Sequence, residues 1–316
     1  VGERTVIALG GNAISPAGTA GTAAEQTDNI HGSMRQIAQL VAAGMTELVL
    51  THGNGPQVGN VLIKNELAKH VVPPVPLDWC VAQTQATIGF TIANTLAHEL
   101  AQLDRSQPVV PVVSRVLVDA DDPGFTTPSK PIGPYLTDEA EIARREGEGE
   151  RFTRVGEWGW RRLVASPEPR ASVDLPAVEL LLDDGAIVVA NGGGGIPVVD
   201  DGDGPLHGVE AVIDKDLAGA RLAEELGASV FVVLTDVRGV AVGYGTQDER
   251  WLDTVAVTEL RALLDAGHFT AGSMGPKVEA VCRFVERTGG RAAIAALDQA
   301  VGAARGEVGT QVRAAP

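Results

Sequence analysis

Short apolar runs recur along the chain, and most of them stop at glycine. Residues 5–9 (TVIAL) end at Gly10-Gly11-Asn12, residues 48–50 at Thr51-His52-Gly53-Asn54-Gly55, and residues 187–189 at Asn191 and four consecutive glycines. β-Branched apolar runs bounded by glycines predict strands buried on both faces of a parallel sheet. Between them the spacing changes to the helical period. Ile30, Met34, Ile37, Leu40 and Val41 share one face of a helix expected over 26–43, and Ile88, Ile92, Leu96 and Leu100 one side of another over 84–103. Further helices are expected over 58–70, 214–226, 258–266 and 276–287, and further strands over 109–113, 230–234, 292–294 and 307–312. Pro108 and Pro111 place 109–113 at a sheet edge. Strand–helix–strand units of this kind connect parallel neighbours right-handedly. The pattern predicts an α/β chain, a three-layer αβα sandwich with a mostly parallel central sheet, its glycine loops gathered at one edge.

The rhythm breaks near Asp119. Residues 119–130 (DADDPGFTTPSK) are polar and rich in turn formers, 139–150 are dense in charge, and 151–164 contain Trp158 and Trp160. We read 118–169 as an inserted, protruding subdomain rather than a linker, because linkers seldom carry large aromatics such as Tyr135, Phe152 and these tryptophans.

Composition narrows the function. The net charge of −16 argues against a nucleic-acid partner, which needs a basic face. No apolar run reaches the roughly 18 residues of a membrane span, and VGERTVIALGG carries no secretory leader pattern, so no membrane role is expected. Two cysteines, Cys80 and Cys282, cannot build a disulfide framework or a four-ligand metal centre, and are expected as buried thiols.

Against that negative field, lysines beside glycine or aspartate stand out. Lys130 lies in SKPIGP, Lys215 in Ile213-Asp214-Lys215-Asp216 at a helix start, and Lys277 in Gly272-Ser273-Met274-Gly275-Pro276-Lys277. Two have an ordinary reading: Lys215 in a solvated first turn capped by Asp214, and the Lys277 stretch as a helix start with Ser273 as N-cap and Pro276 in the first turn. No GxxxxGK[ST] or GxGxxG occurs. Helix starts with glycines and lysines also suit anions, and a migrating phosphoryl group needs fixed cations and N–H donors more than an acid or base.

In combination these stretches resemble one family closely. ALGGNAI (8–14), THGNGPQVGN (51–60), PLDWCVAQTQATIGF (76–90), PSKPIGP (128–134), GWRRLVASPEP (159–169), NGGGGIPVV (191–199), VIDKDLA (212–218), LTDVRGV (234–240) and GSMGPKVEA (272–280) follow the order seen in carbamate kinases of the amino acid kinase superfamily. The resemblance covers nearly the whole chain. It implies a single amino acid kinase-like domain with an N-terminal lobe (1–211) for carbamate and the phosphoryl group and a C-terminal lobe (212–316) for nucleotide. It implies reversible phosphoryl transfer between carbamoyl phosphate and ADP, Mg²⁺ with the ATP or ADP, a homodimer, and a cytoplasmic role in arginine or nitrogen catabolism. Carried over by residue, Lys130, Lys215, Asp216 and Lys277 are catalytic. Gly10, Gly11, Asn12, Gly53, Asn54, Gly55, Gly193 and Gly194 offer N–H and amide donors to the substrate. Thr235, Asp236, Tyr244 and Met274, with Lys215 and Lys277, hold the nucleotide. His52 is read as structural, since carbamate is already anionic. The rival readings are a relative with another acceptor, such as an amino acid carboxylate, a phosphonate or a nucleotide monophosphate, and a nucleotide sensor without turnover.

Overall fold

The computed structural model describes residues 3–15, 21–270 and 273–314. Its central sheet has eight strands in the spatial order Thr254–Ala256, Thr310–Arg313, Arg291–Ala296, Val230–Thr235, Thr5–Leu9, Leu48–His52, Ile187–Val189 and Val109–Pro111. All neighbours are parallel except Arg291–Ala296 with Thr310–Arg313. Val109–Pro111 is an edge strand, as its prolines require.

Strand periodicity divides the core into two layers. Val6, Ala8, Val49, Val188, Phe231 and Val233 face one way, onto helices Leu175–Asp183, Lys215–Glu225, Val257–Asp265 and Met274–Thr288. Their alternates Ile7, Leu9, Leu48, Leu50, Ile187, Val189, Val232 and Leu234 face the other way, onto helices Ala23–Ala42, Leu77–Ala101 and Ala300–Arg305. With apolar residues required on both faces, these strands read as unbroken apolar runs. The three-layer α/β expectation holds. Helix Leu77–Ala101 starts seven residues earlier than expected, behind Pro76.

Two smaller sheets were not legible in the sequence. Arg115–Leu117, Ile196–Val199, His207–Gly208 and Ala171–Ser172 form a four-stranded sheet, and Lys130–Leu136, Gly159–Val164 and Arg151–Val155 a three-stranded one beside helix Glu139–Gly147. The second lies wholly inside the 118–169 segment. It meets the main body where Gly133 comes against Gly59 of helix Gly55–Ala68. Among the described residues, no helix is long and apolar enough to cross a membrane.

Candidate active site

Leu9 is in register with Leu234 on one side and with His52 on the other, so the loops after these three strands leave the sheet side by side. The chain builds outward from Thr5–Leu9 to the Val109–Pro111 edge, then returns to the other side at Val230–Thr235. Ligands of open α/β sheets bind where strand order reverses in this way.

Helix Lys215–Glu225 begins at that crevice. Asp214 caps it, Oδ1 accepting from the amides of Asp216 (2.9 Å) and Leu217 (3.3 Å). The other Asp214 oxygen accepts from Lys130 Nζ at 2.7 Å. Asp216 Oδ2 accepts from Lys215 Nζ at 2.9 Å and Lys277 Nζ at 3.3 Å. One helix start therefore collects ammonium groups from three segments far apart in sequence. Three positive charges face two carboxylates there.

Burial and charge compete at each group. Burial alone would push the Lys215 ammonium down, but Asp216 and Asp214 outweigh it and hold the group above the ordinary lysine value. For Lys277 burial prevails, aided by repulsion from Lys215 and opposed by Asp216, so its pKa falls below the ordinary value. Burial would raise Asp214, yet Lys130 and Lys215 keep it well below the carboxylate range. Asp216 is 1 % exposed, and its Oδ1 is buried without a hydrogen bond.

Close backbone approach explains the glycines better than hydrogen bonding does. A Cβ on Gly53 would lie 3.0 Å from Lys215 Cδ, so the lysine stem lies directly on this loop. Gly193 has φ +66°, and a Cβ there would overlap the Asn54 amide at 2.2 Å. Gly194 is likewise pressed against the Ile213 carbonyl, just ahead of Asp214. The 192–195 loop is pinned by Gln85, whose Nε2 donates to the carbonyls of Gly192 (2.9 Å) and Ser114 (3.1 Å).

Two expectations need correction. The Gly10 and Gly53 amides are not free donors: they already bond to Leu234 O (2.9 Å) and Leu9 O (3.1 Å), extending the sheet ladder. Gly194 N–H is similarly used by Asn191 O at 3.0 Å. Gly11 and Gly55 instead open helical turns, where first-turn amides have no intrahelical acceptor. Ser273 occupies the N-cap position of Met274–Thr288 but makes no capping side-chain bond. The Asn54 side chain also leaves its helix uncapped and donates to Thr84 Oγ1 at 2.9 Å. The Asn12 side chain and Gly272 lie outside the described residues.

On the other flank, Thr235 ends its strand beside Gly10, where a Cβ would lie 3.6 Å from Thr235 Cα. Its hydroxyl donates to Asp236 Oδ1 at 3.0 Å. Met274 packs on the core at the start of its helix. Tyr244 is exposed and set edge-on to Trp251, 6.0 Å between centroids, in the turn linking Val240–Val242 to Arg250–Leu252. His52 is buried with Nδ1 3.0 Å from Gly53 O, and burial pushes its pKa down to about 4, so it is neutral at pH 7.

Sequence reasoning saw Asp214 only as a cap. The alternation Asp214-Lys215-Asp216 was the available signal that the cap also holds a cation. Thr84 and Gln85, which position Asn54 and the glycine loop, sit in a helical stretch that carries no such signal.

The amino acid kinase family model matches residues 3–296. The chain belongs to the amino acid kinase family. Within it, the chain groups with the carbamate kinases. It is 47 % identical to the carbamate kinase of Thermococcus kodakarensis, over 98 % of this chain and 99 % of that one. Identity to the Pyrococcus furiosus carbamate kinase is 46 %, over 99 % of each. The solved structure of a Giardia lamblia carbamate kinase bound to AMP-PNP is 36 % identical, with a TM-score of 0.91 over 100 % of this chain and 99 % of that one. As a member of the amino acid kinase family, the chain is a phosphotransferase, and the lysine cluster at its strand-order reversal suits that chemistry.

Proposed function

We propose that the chain catalyses reversible phosphoryl transfer between carbamoyl phosphate and ADP, giving ATP and carbamate. The observation that carries the reading is the convergence of Lys130, Lys215 and Lys277 on Asp214 and Asp216. The substrate identity rests on the names of the relatives.

In the transfer, the bond from phosphorus to the carbamate oxygen breaks as a bond to the ADP β-phosphate oxygen forms. Negative charge spreads over the three remaining oxygens, and fixed cations stabilise it. Lys215 bridges the donor and acceptor oxygens, Lys277 holds the β-phosphate, and Lys130 reaches the phosphoryl group from the protruding subdomain. Asp214 and Asp216 hold the three ammonium groups in position before substrate arrives, and they favour the charged form of Lys215. Carbamate leaves or attacks as an anion, so no proton is taken, in keeping with a neutral, buried His52.

Gly11, Asn12, Asn54, Gly55 and Gly193 form the carbamate side, with Gly10, Gly53 and Gly194 allowing close approach. Thr235, Asp236, Tyr244 and Met274 form the nucleotide side. This divides the chain into lobes 1–211 and 212–316, with 118–169 as a lid. Mg²⁺ would enter with the nucleotide: Asp216, whose buried Oδ1 makes no hydrogen bond, would help to hold it, and the ion would supply neutralisation of phosphate charge. Exposed Trp79 and Phe90 on helix Leu77–Ala101 support a homodimer, and the reading places the enzyme in the cytoplasm.

The test is ATP formation from ADP and carbamoyl phosphate, read through hexokinase and glucose-6-phosphate dehydrogenase, beside acetyl phosphate and an acceptor panel. Lys215→Ala is expected to lower kcat by about 10²–10³, with ADP still bound in calorimetry. Absence of ATP from carbamoyl phosphate, with product from another acyl phosphate, would overturn the proposal.

A further inference from the structure

We propose that His31, His98 and Glu99 form a site for one divalent transition-metal ion, zinc above all, that fastens helix Ala23–Ala42 to helix Leu77–Ala101. These two helices lie in the layer opposite the helices that carry Lys215 and Lys277. The site is therefore separate from the phosphate crevice.

Among the described residues, His31, His98 and Glu99 are the group of His, Cys, Asp or Glu side chains whose ligand atoms all lie within 4.8 Å of one another. His31 Nε2 is 2.5 Å from Glu99 Oε1. The His31 and His98 rings are edge-on at 77°, with centroids 5.9 Å apart. Arg35, one turn beyond His31, approaches the other Glu99 oxygen at 3.7 Å. The guanidinium thus orients the carboxylate and leaves Oε1 for a metal, the usual arrangement of a supporting outer partner.

Two imidazoles and one carboxylate suit zinc, with a remaining position open to water. Zn–N and Zn–O bonds of about 2.0–2.2 Å put tetrahedral donor atoms about 3.3 Å apart. The His31–Glu99 pair, at 2.5 Å, needs to open by less than an ångström, and exposed His98, within 4.8 Å of both, needs to close by at most about 1.5 Å. Both are side-chain rotations, and neither moves a helix. Binding takes His31 through an Nε2 that carries no hydrogen, as in the imidazole tautomer with its hydrogen on Nδ1.

The consequence is mechanical. Helix Ala23–Ala42 begins near the crevice, where Gln26 accepts from Gln57 Nε2 at 2.9 Å. A metal clasp near its middle ties it to the end of Leu77–Ala101. Zinc at 100-fold excess over its dissociation constant should raise Tm by about 5 °C.

The experiment uses the full chain and does not read activity. Cobalt(II) is titrated as a zinc surrogate and followed by its visible absorption. Zinc affinity is then measured by competition with a chromogenic chelator. The expected result is one cobalt per chain with bands of four- or five-coordinate geometry, lost on adding zinc. His98→Ala, a surface change, should weaken zinc at least tenfold and leave the metal-free Tm unchanged. His31→Ala should weaken it similarly, and His70→Ala, in the exposed turn after helix Gly55–Ala68, should not. Equal affinity in the parent and His98→Ala, or an equal loss in His70→Ala, would overturn the proposal.

Discussion

Replacing Gly53 with alanine tests the placement of Lys215 without removing its charge. Gly53 has a φ outside the left-handed region, so alanine fits the backbone. The new methyl carbon would lie 3.0 Å from Lys215 Cδ, 3.2 Å from Cε and 3.3 Å from Gly11 Cα. Carbon pairs rest at about 3.5–4.0 Å, so the lysine stem must move by about 0.5–1 Å. A displacement of about 1 Å in a positioned group costs up to about 10² in rate. We expect kcat to fall about 10–100-fold, less than the about 10²–10³ for removing the ammonium group. The two tightest contacts are with a flexible side chain, Gly11 Cα needs to give by only a few tenths of an ångström, and the unfolded chain loses freedom worth about 0.4–1 kcal/mol. Tm should therefore stay within about 3 °C. Steady-state kinetics in the coupled ATP assay and a thermal melt read both quantities. A kcat within twofold of the parent would show that Lys215 does not depend on the Gly53 surface, and would refute the account of why glycine stands there.

Two further outcomes follow from the geometry. Gly59→Ala should gain about 1 kcal/mol of helix propensity, yet its Cβ would fall 2.7 Å from Gly133 Cα. The 118–169 segment should be held off the body, giving faster proteolysis within it and about tenfold lower kcat/KM; unchanged proteolysis would argue that the contact yields elsewhere. His52 gives a pH dependence. Its folded pKa is about 4 against 6.5 ordinarily, so the unfolded chain binds the extra proton and stability rises with pH. That contribution is full above about pH 6.5 and declines as pH falls to 4, by about 3 kcal/mol. Urea melts at pH 7 and 4.5 should show a smaller difference for His52→Gln than for the parent, and an equal difference would remove His52 as the source.

Much of the architecture was legible because the central strands need apolar residues on both faces. The runs at 5–9, 187–189 and 230–234 show this directly, and the glycines that follow them mark the strand ends. The smaller sheets escaped for two reasons: most strands of one are only two or three residues long, and those of the other are largely half-buried, with charged residues such as Arg151, Arg154 and Arg161 inside them. The three lysines were visible as oddities beside glycine and aspartate. Their roles in the loops were less visible: the amides of Gly10 and Gly53 were read as ligand donors, whereas the sheet ladder uses them.

Local sequence determined the elements, their two-sided burial and the anion-suited helix starts, since each depends on residues within a few positions of one another. Only the tertiary structure decided that Lys130, Lys215 and Lys277 share two adjacent carboxylates, and that His31 meets a histidine and a glutamate 67 and 68 residues away. Such meetings depend on strand order and on how helices cross the sheet, which no single stretch of chain encodes.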